Sequence, residues 1–279
     1  MTVKRVQKNS SKPFKSSKRK ASDFQVSLAD EVSVPSTNIG DYVLWVHGAP
    51  GVGKTTFCAE FPDMHMFMPE AGGAKSVSAY QRPIRHWLEW KAYMPPWKKD
   101  RKFRTGSIDV LERLYDQCFE YMCKEVLHIE HPQDERDFGK SWGKINKEFV
   151  SGVAEAAEAG KGLVLVSHSV ERTIKTFLGE EYELIRPNLG GTVLQQIHGA
   201  VDIIGYMYVE GDQRYMRIRD DGNVMAKVRP TKNFFWPDGS QIDVIPLGRS
   251  SRQAYKNFIL AFENKLPRPE KKVKKKVRK

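Results

Sequence analysis

The chain has 279 residues, of which 40% are hydrophobic, enough for one sizeable buried core with residues to spare at the ends. No run approaches the roughly 18 apolar residues that a membrane span requires, so we expect no membrane partner. We also expect no signal peptide at the start. The formal net charge is +12, and its distribution along the chain is uneven.

The basic residues are concentrated at the two ends of the chain. Residues 1–20 contain eight Lys or Arg and no acid, and residues 265–279 contain nine with a single acid. Each end carries +8, which leaves −4 for residues 21–264. We therefore predict a disordered basic arm over residues 1–25, a folded domain over residues 26–264 and a basic tail over residues 265–279. Basic arms suit a polyphosphate partner such as nucleic acid, although charge runs also serve simply as solvated tails.

The cysteines predict a reducing environment. Cys58, Cys118 and Cys123 form neither an even set nor a metal-binding spacing, and the last two lie within a helical pattern. We expect reduced thiols in the core, which is typical of a cytoplasmic protein.

A strand, a glycine-rich turn and a helix follow one another near the start of the folded domain. Residues 42–46 are apolar, as in a buried strand, and residues 56–61 begin a helical pattern. The residues between them match a phosphate-binding loop, in which backbone N–H groups surround an anion. The loop comprises Gly48, Ala49, Pro50, Gly51, Val52, Gly53, Lys54, Thr55 and Thr56. We therefore predict an ATP site with Mg²⁺, where Lys54 reaches the β- and γ-phosphates and Thr55 is a metal ligand.

Strands and helices alternate after this loop, as they do in a mostly parallel sheet with helices on both faces. The predicted strands are residues 64–68, 103–108 and 162–166, and the predicted helices are residues 84–93, 109–126, 145–159, 193–201 and 252–264. We expect Pro95 and Pro96 to end the first of these helices, because proline lacks the N–H that a helix uses. The polar residues 170–192 predict a long loop, which is usually functional or mobile.

The period of the apolar residues changes to two near the end of the domain. Residues 203–209, 214–219 and 224–229 are predicted to form an antiparallel β-meander, joined by turns that contain Gly and Asp. Apolar residues fill one face of this meander, and the other face is basic, with Arg217, Arg219, Lys227 and Arg229.

Polar residues follow two of the predicted strands. Glu70 comes soon after residues 64–68, and His168 comes directly after residues 162–166. The carboxyl ends of parallel strands are where open α/β sheets place ligand contacts, and a carboxylate there can polarise the water that attacks ATP. A solvated loop glutamate and a histidine satisfied at a strand end are the plainer alternatives.

These elements together resemble the RecA-like ATPase core, and more closely the phage-encoded RecA-core proteins that act as single-strand annealing proteins or minimal recombinases. The resemblance covers roughly residues 40–250 and rests on the phosphate loop and four other stretches. The four are Pro69-Glu70, residues 108–118, residues 139–142 and residues 165–168. It implies a three-layer α/β fold with a mostly parallel sheet, in which residues 26–264 form a RecA-like ATPase domain.

The resemblance also implies a role for each matching position. Lys54, Glu70 and His168 would be catalytic, with Glu70 orienting the hydrolytic water and His168 sensing the γ-phosphate. Two loops, residues 131–144 and 169–192, would touch single-stranded DNA through Lys140, Trp142, Lys144, Arg172, Lys175 and Arg186. Arg229 or Lys232 would reach the ATP of a neighbouring subunit, so the chain would form a homo-oligomeric ring or filament. Core packing is the alternative role for Trp142.

One position departs from that family. The family's strand usually ends in an Asp that holds Mg²⁺ through water, whereas Gly106 stands at the expected place here. Asp109 lies three residues later and is the candidate metal ligand, although Asp109 and Glu112 also fit a helix capping box. We expect DNA-dependent ATP hydrolysis to be slow for this reason, with ATP acting as a switch.

The leading hypothesis is an ATP-binding, single-stranded-DNA-binding recombination protein that oligomerises on DNA and promotes annealing or strand pairing. A single-strand-binding protein is a further partner, and the location is the cytoplasm, that of a bacterial host if the chain is phage-encoded. Two alternatives share the same phosphate loop. One is a nucleoside or nucleotide kinase, which needs clustered arginines and an acceptor pocket, and the other is a helicase-loader-like ATPase that acts through a protein partner.

Overall fold

The computed structural model describes residues 27–70, 75, 77–177 and 179–269. It divides the chain into two compact units, Met1–Pro35 and Ser36–Lys279. In the first unit, residues 27–35 are exposed and contain neither helix nor strand. The predicted arm over residues 1–25 and most of the basic tail lie outside the described residues. All elements named below belong to the second unit.

The described residues form ten strands and six α-helices. The strands are β1 Val43–Gly48, β2 Met64–Met68, β3 Tyr80–Pro83, β4 Thr105–Asp109, β5 Gly162–Lys175, β6 Glu181–Pro187, β7 Ile203–Glu210, β8 Gln213–Arg217, β9 Lys227–Val228 and β10 Val244–Gly248. The helices are α1 Lys54–Ala59, α2 Trp87–Lys99, α3 Leu111–Tyr121, α4 Lys140–Ala157, α5 Gly191–Ala200 and α6 Ser251–Phe262. A π-helical turn, Met122–Leu127, continues α3.

The sheet order places the strand before the phosphate loop at the centre. The order is β10-β8-β7-β1-β5-β4-β2-β3, and β7, β1, β5, β4, β2 and β3 are parallel. β8 and β10 add antiparallel strands at one edge. The mostly parallel α/β architecture predicted from the sequence is confirmed.

Helices cover both faces of the sheet. Trp45 and Leu165 face one core, which α2, α3, α4 and α5 complete with residues such as Trp87, Leu114 and Phe149. Leu44 and Val46, which point the other way, face a second core completed by α1 and α6. The alternation of side chains along β1 therefore explains the three layers. Among the described residues, no helix combines the length and the apolar character needed to cross a membrane.

The prediction that Pro95 and Pro96 end a helix is wrong. Both prolines lie inside α2, which continues to Lys99. The two prolines are on the exposed side, whereas Trp97 is only 4% exposed and lies with its ring 5.5 Å from that of Phe67. Burial of this large side chain stabilises the last turn enough to offset the missing backbone hydrogen bonds.

The predicted long loop is instead a β-hairpin. β5 runs on past its buried half to Lys175 and pairs with β6 in an antiparallel register from Ser169↔Pro187 to Lys175↔Glu181. We call residues 169–187 the hairpin. Its residues from Glu171 to Glu183 are mostly exposed, so neither strand has the long apolar face that marks a buried strand in the sequence.

The predicted β-meander is right for two strands and wrong for the third. β7 and β8 form the expected hairpin, but the third segment shrinks to β9, which pairs with β7, and β10 takes the place beside β8. Lys227 explains the change, because its ammonium donates to the carbonyls of His198 and Val201 at the end of α5. The basic side chain thus anchors the segment to a helix end, where cations are favourable.

Candidate nucleotide site

The phosphate loop bends between β1 and α1 as its glycines require. Gly51 and Gly53 have φ angles of 79° and 98°, in the left-handed region that favours glycine. A Cβ at Gly48 would lie 2.2 Å from the carbonyl oxygen of Met207 on β7. The loop can therefore pass this close to the sheet only with glycine at position 48.

Lys54 is the buried cation of the loop. Its side chain is 6% exposed, and its ammonium donates to the carbonyl oxygens of Gly48 and Ala49 at 2.8 and 2.9 Å. Burial lowers the pKa of Lys54, and the charges of Asp109, Glu112 and other acids oppose that shift. A cation held in this way stands beside the position that phosphate oxygens take in such loops.

Asp109 occupies the position that the sequence analysis assigned to Gly106, and that assignment is wrong. Asp109 is the last residue of β4 and lies opposite Val166 of β5, whereas Gly106 lies within the strand. A Cβ at Gly106 would lie 2.8 Å from the Trp97 ring, so glycine serves packing there. The strand was placed too early because it is fully buried although Thr105 and Ser107 are polar.

The alternative capping-box role of Asp109 and Glu112 is not observed either. Val110 is the N-cap residue of α3, and no side chain caps that helix end. Both carboxylates are therefore available for other contacts.

Asp109 and Thr55 fit a Mg²⁺ ion held next to a nucleotide. The Asp109 carboxylate is buried, and its Oδ2 has no hydrogen-bond partner among the described residues. Burial raises the pKa of Asp109, opposed by the hydrogen bond to Thr55 and by the charge of Lys54. An unsatisfied buried carboxylate oxygen beside a threonine hydroxyl is the donor set Mg²⁺ uses when phosphates and water supply the rest.

A cavity of about 300 Å³ lies in front of the loop, and we call it the nucleotide cavity. Glu70, two residues after β2, lines it opposite the loop. The lining consists of Pro50, Gly51, Gly53, Lys54, Thr55, Thr56, Met68, Glu70, Asp109, Val110 and His168. The cavity thus brings together every residue that the sequence analysis assigned to catalysis and to the metal.

A comparison with protein families agrees with this geometry. A family model described as an AAA domain matches residues 41–230, from two residues before β1 to two residues beyond β9. The chain belongs to the AAA domain family. It therefore contains a nucleotide-binding domain of the P-loop ATPase type. No curated protein matches the chain.

His168 lies at the edge of the nucleotide cavity in this AAA domain. It continues β5 after the buried residues 162–167, and its side chain is 28% exposed. Its Nδ1 is 2.6 Å from Oε1 of Glu112, and its backbone N–H donates to the same oxygen at 2.9 Å. One carboxylate thus holds both the ring and the backbone of His168.

A second cavity, of about 460 Å³, adjoins the first. Glu70 and His168 line both cavities, so the two share a wall. The other lining residues are Glu112, Arg113, Tyr115, Asp116, Arg172, Arg186, Asn188, Leu189 and Gly190. This cavity is therefore polar and carries both acids and arginines.

The hairpin residues predicted to contact DNA lie at and beyond this second cavity. Arg172 and Arg186 line it, and the pKa of Arg186 is lowered by burial and by the charge of Arg172. Arg186 donates to the carbonyl of Leu189 at 2.8 Å, and Lys175 lies 3.5 Å from Glu181 nearer the tip. At the tip, Phe177 is fully exposed, a residue that the sequence analysis did not select.

The other residues predicted to contact DNA are in a helix and not in a loop. Lys140, Trp142 and Lys144 belong to the first turns of α4 and line neither cavity. The Trp142 ring packs against Phe119 and His131, with ring centroids 5.6 and 5.5 Å away. The contacts of Trp142 therefore correspond to the packing alternative.

The two candidates for contact with a neighbouring subunit differ in their contacts. Arg229 is held within its own chain, by Asp202 at 3.1 Å and by the carbonyl of Gly199 at 2.7 Å. Lys232 is exposed, and its ammonium has no partner among the described residues. Lys232 is therefore the freer of the two.

Arg214 supports the phosphate loop from a distant part of the chain. Its Nε donates to the carbonyl of Val52 at 3.0 Å, and a guanidinium nitrogen donates to the carbonyl of Arg249. Arg214 lies in β8, far along the chain from the loop, and it carries no motif. No feature of the sequence could have identified this contact.

Proposed function

We propose that this AAA domain binds ATP with Mg²⁺ and uses it as a switch that controls the binding of single-stranded DNA to the hairpin. The chain would act as a homo-oligomer, a ring or a filament, that promotes annealing or strand pairing. The observation that carries the proposal is the course of β5. The same strand passes the nucleotide cavity at His168 and continues into the hairpin, so a shift of His168 moves the hairpin directly.

The nucleotide end of this proposal follows from the residues of the nucleotide cavity. Lys54 would bind the β- and γ-phosphates, and Thr55 and Asp109 would hold the Mg²⁺ that neutralises charge on them. Glu70 faces the end of the cavity where the γ-phosphate lies and orients the attacking water. Asp109 at the end of β4 removes the reason for expecting slow hydrolysis, so the proposed ATPase has a complete set of catalytic groups.

The DNA end of the proposal depends on the hairpin's surface. Arg172, Lys175 and Arg186 provide cations for backbone phosphates, and Phe177 at the tip provides a ring on which a base can stack. Cations combined with exposed aromatic rings are the usual means of binding single strands without sequence preference. Trp142, whose ring packs against Phe119 and His131, has a smaller part in DNA binding than the hairpin.

The proposed oligomer places Lys232 at the ATP of a neighbouring subunit. Lys232 is preferred over Arg229 because its ammonium makes no contact within the described residues. A cation supplied in trans stabilises charge on the transferred phosphoryl group and makes hydrolysis depend on assembly.

The test is binding of a labelled oligo-dT to the full chain, followed by fluorescence anisotropy with and without MgATP. We expect MgATP to strengthen binding by about 10-fold or more in the wild type and not in Lys54→Ala. Replacing Arg172, Lys175 and Arg186 together by Ala should reduce the slope of log affinity against log salt by about 2. A matched control replaces Lys140 and Lys144, which should leave the MgATP effect intact.

The outcome of this test distinguishes the proposed switch from nonspecific electrostatic binding of DNA by the basic ends of the chain. Binding that is unchanged by MgATP, and equally strong in the hairpin variant, would assign DNA contact to the basic ends alone. The proposed switch would then be wrong.

The second cavity favours one alternative function, a phosphotransferase. It adjoins the nucleotide cavity at Glu70 and His168, and Arg113, Arg172 and Arg186 line it as arginines line the acceptor sites that such an enzyme needs. Incubation with γ-labelled ATP and a panel of nucleosides and nucleotides distinguishes the two functions. Transfer of label to an acceptor supports the phosphotransferase, and release as inorganic phosphate supports the switch.

A further inference from the structure

Glu112 lies between the nucleotide cavity and the second cavity. It is in the first turn of α3, three residues after Asp109, and its side chain is only 13% exposed. It lines the second cavity but not the nucleotide cavity, whereas His168 lines both. His168 is therefore the residue that borders both cavities and that Glu112 contacts.

One oxygen of Glu112 holds His168 at two points. Oε1 is 2.6 Å from Nδ1 of the ring and accepts the backbone N–H at 2.9 Å. A carboxylate can only accept, so Nδ1 carries its proton and Nε2 is the ring nitrogen left for another partner. The orientation of the ring and the course of β5 at this residue are thus fixed by the same atom.

The other oxygen of Glu112 is unused. Oε2 is buried and has no hydrogen-bond partner among the described residues. Unsatisfied buried polar atoms are rare in native proteins because each one costs free energy. Both hydrogen bonds of the Glu112 carboxylate among the described residues therefore run through Oε1, to the ring and to the backbone of His168.

We propose that Glu112 is a positioning residue that couples the nucleotide cavity to the hairpin. Its contacts with His168 hold β5 in one position, and nucleotide at the Nε2 side of the ring changes that position. α3 begins next to Asp109, so the metal site and the hairpin are connected through one short segment. The proposal rests on the switch described above and names the residue that transmits it.

The charged groups around Glu112 define what else acts on it. Arg113 and Asp116 lie on the same helix and form an ion pair at 3.2 Å, and Arg172, Arg186 and Glu70 line the same cavity as Glu112. The charges of Lys54 and Asp109 also interact with that of Glu112. Of these, neither Arg172 nor Arg186 has a carboxylate partner within 4 Å among the described residues.

The experiment follows the hairpin directly with a fluorophore. Glu180→Cys places a thiol near the tip, on an exposed side chain, while Cys58, Cys118 and Cys123 are buried and stay unlabelled. An environment-sensitive dye on this cysteine should respond when MgATP is added to the full chain. Adding Glu112→Ala should reduce the amplitude of the response by about 10-fold, while the affinity for MgATP changes less than about 3-fold.

Two further variants separate positioning from loss of structure. Glu112→Gln keeps an oxygen that can accept from His168 and should restore most of the response. Glu120→Ala removes another glutamate of α3, one that pairs with Lys124 outside both cavities, and should leave the response unchanged. A role that is merely structural would lower the response and the nucleotide affinity together, and would not be rescued by Gln.

The outcomes distinguish this inference from the proposed function. A full response in Glu112→Ala, or no response in the wild type, would overturn the role of Glu112. A response that depends on Glu112, found in a protein whose DNA binding ignores MgATP, would support the inference and overturn the proposed function.

Discussion

The nucleotide cavity and the hairpin are two ends of one strand with opposite physical character. At the cavity, the residues of β5 are buried, and Lys54 and Asp109 nearby are 6% and 4% exposed. Beyond His168 the same strand becomes exposed and is paired with β6 alone. One half of β5 is held by the sheet and its two cores, and the other half is held mainly by backbone hydrogen bonds.

This difference teaches where chemistry and movement can lie. Burial strengthens the electrostatic interactions of the charged groups inside the sheet, and these groups cannot move without disturbing the packing of the core. The base of the hairpin is tied to the rest of the domain by backbone hydrogen bonds between Ile185 and residues 223 and 225. The exposed two-stranded part beyond this base is only marginally stable by itself, so it can move more easily than the sheet. A rigid phosphate site and a flexible hairpin on the same strand therefore suit a nucleotide-controlled switch.

The largest expected effect is on MgATP binding at the nucleotide cavity, which is the rigid end of β5. We expect Lys54→Ala to weaken MgATP binding by about 1000-fold, or about 4 kcal/mol, because it removes the buried cation that faces the phosphates. Isothermal titration calorimetry measures the loss, and Lys99→Ala at the exposed end of α2 is the control. Retention of wild-type affinity would show that the nucleotide does not lie in the loop.

A somewhat smaller effect should come from the metal position. Asp109→Asn keeps the shape of the side chain but removes its charge, so we expect Mg²⁺-dependent hydrolysis to fall about 100-fold, or about 3 kcal/mol in the barrier. Affinity for ATP in the absence of Mg²⁺ should not fall, because the change also removes a negative charge. Asp116→Asn, on α3, is the matched control. Equal losses in both variants would contradict the assignment of Asp109.

The two ends also differ in how far the sequence predicts them. The phosphate loop is a local motif, and its nine residues, the strand before it and the helix after it can all be recognised because they are contiguous. Glu70 and His168 were found because strand ends in a parallel sheet converge. The fold class followed from the alternation of apolar segments, which is also a local property.

What the sequence could not predict depends on partners far away in the chain. The polar strand β4 was misplaced, and with it Asp109, because its burial results from the neighbours β2 and β5 and not from its own hydrophobicity. The hairpin has the polar sequence of a loop because most of its residues are exposed. Glu112 and His168, which are in contact, lie 56 positions apart in the chain, and Arg214 lies 162 positions from the loop residue that it contacts. No sequence pattern predicts either contact.

A third prediction concerns the pH dependence of the rigid end. His47 precedes the loop, is fully buried, and accepts from Ser169 at Nδ1 while donating to the carbonyl of Met225 at Nε2. Burial, aided by the charge of Lys54, lowers the pKa of His47 from 6.5 to about 4. Because the unfolded chain binds this proton more readily, stability falls as the pH drops below 6.5 and continues to fall until about 4.

Between about pH 7 and about pH 5 the expected loss from His47 is about 2 kcal/mol. Denaturant unfolding at each pH measures it, and His47→Gln should flatten this part of the profile whatever its own stability. A profile equally steep in the variant would assign the acid sensitivity to other groups.

The smallest of the expected effects concerns DNA binding at the tip of the hairpin. Phe177 is fully exposed and supports no core, so Phe177→Ala should leave the unfolding free energy unchanged within about 0.5 kcal/mol. Loss of one stacked base should weaken binding of oligo-dT by about 1 kcal/mol, or roughly 5-fold, and only in the MgATP state. Phe177→Tyr, which keeps a ring, is the matched control for anisotropy titrations. If Phe177→Ala binds oligo-dT as tightly as Phe177→Tyr, the hairpin contacts DNA through its cations alone, and the aromatic ring at its tip has another partner.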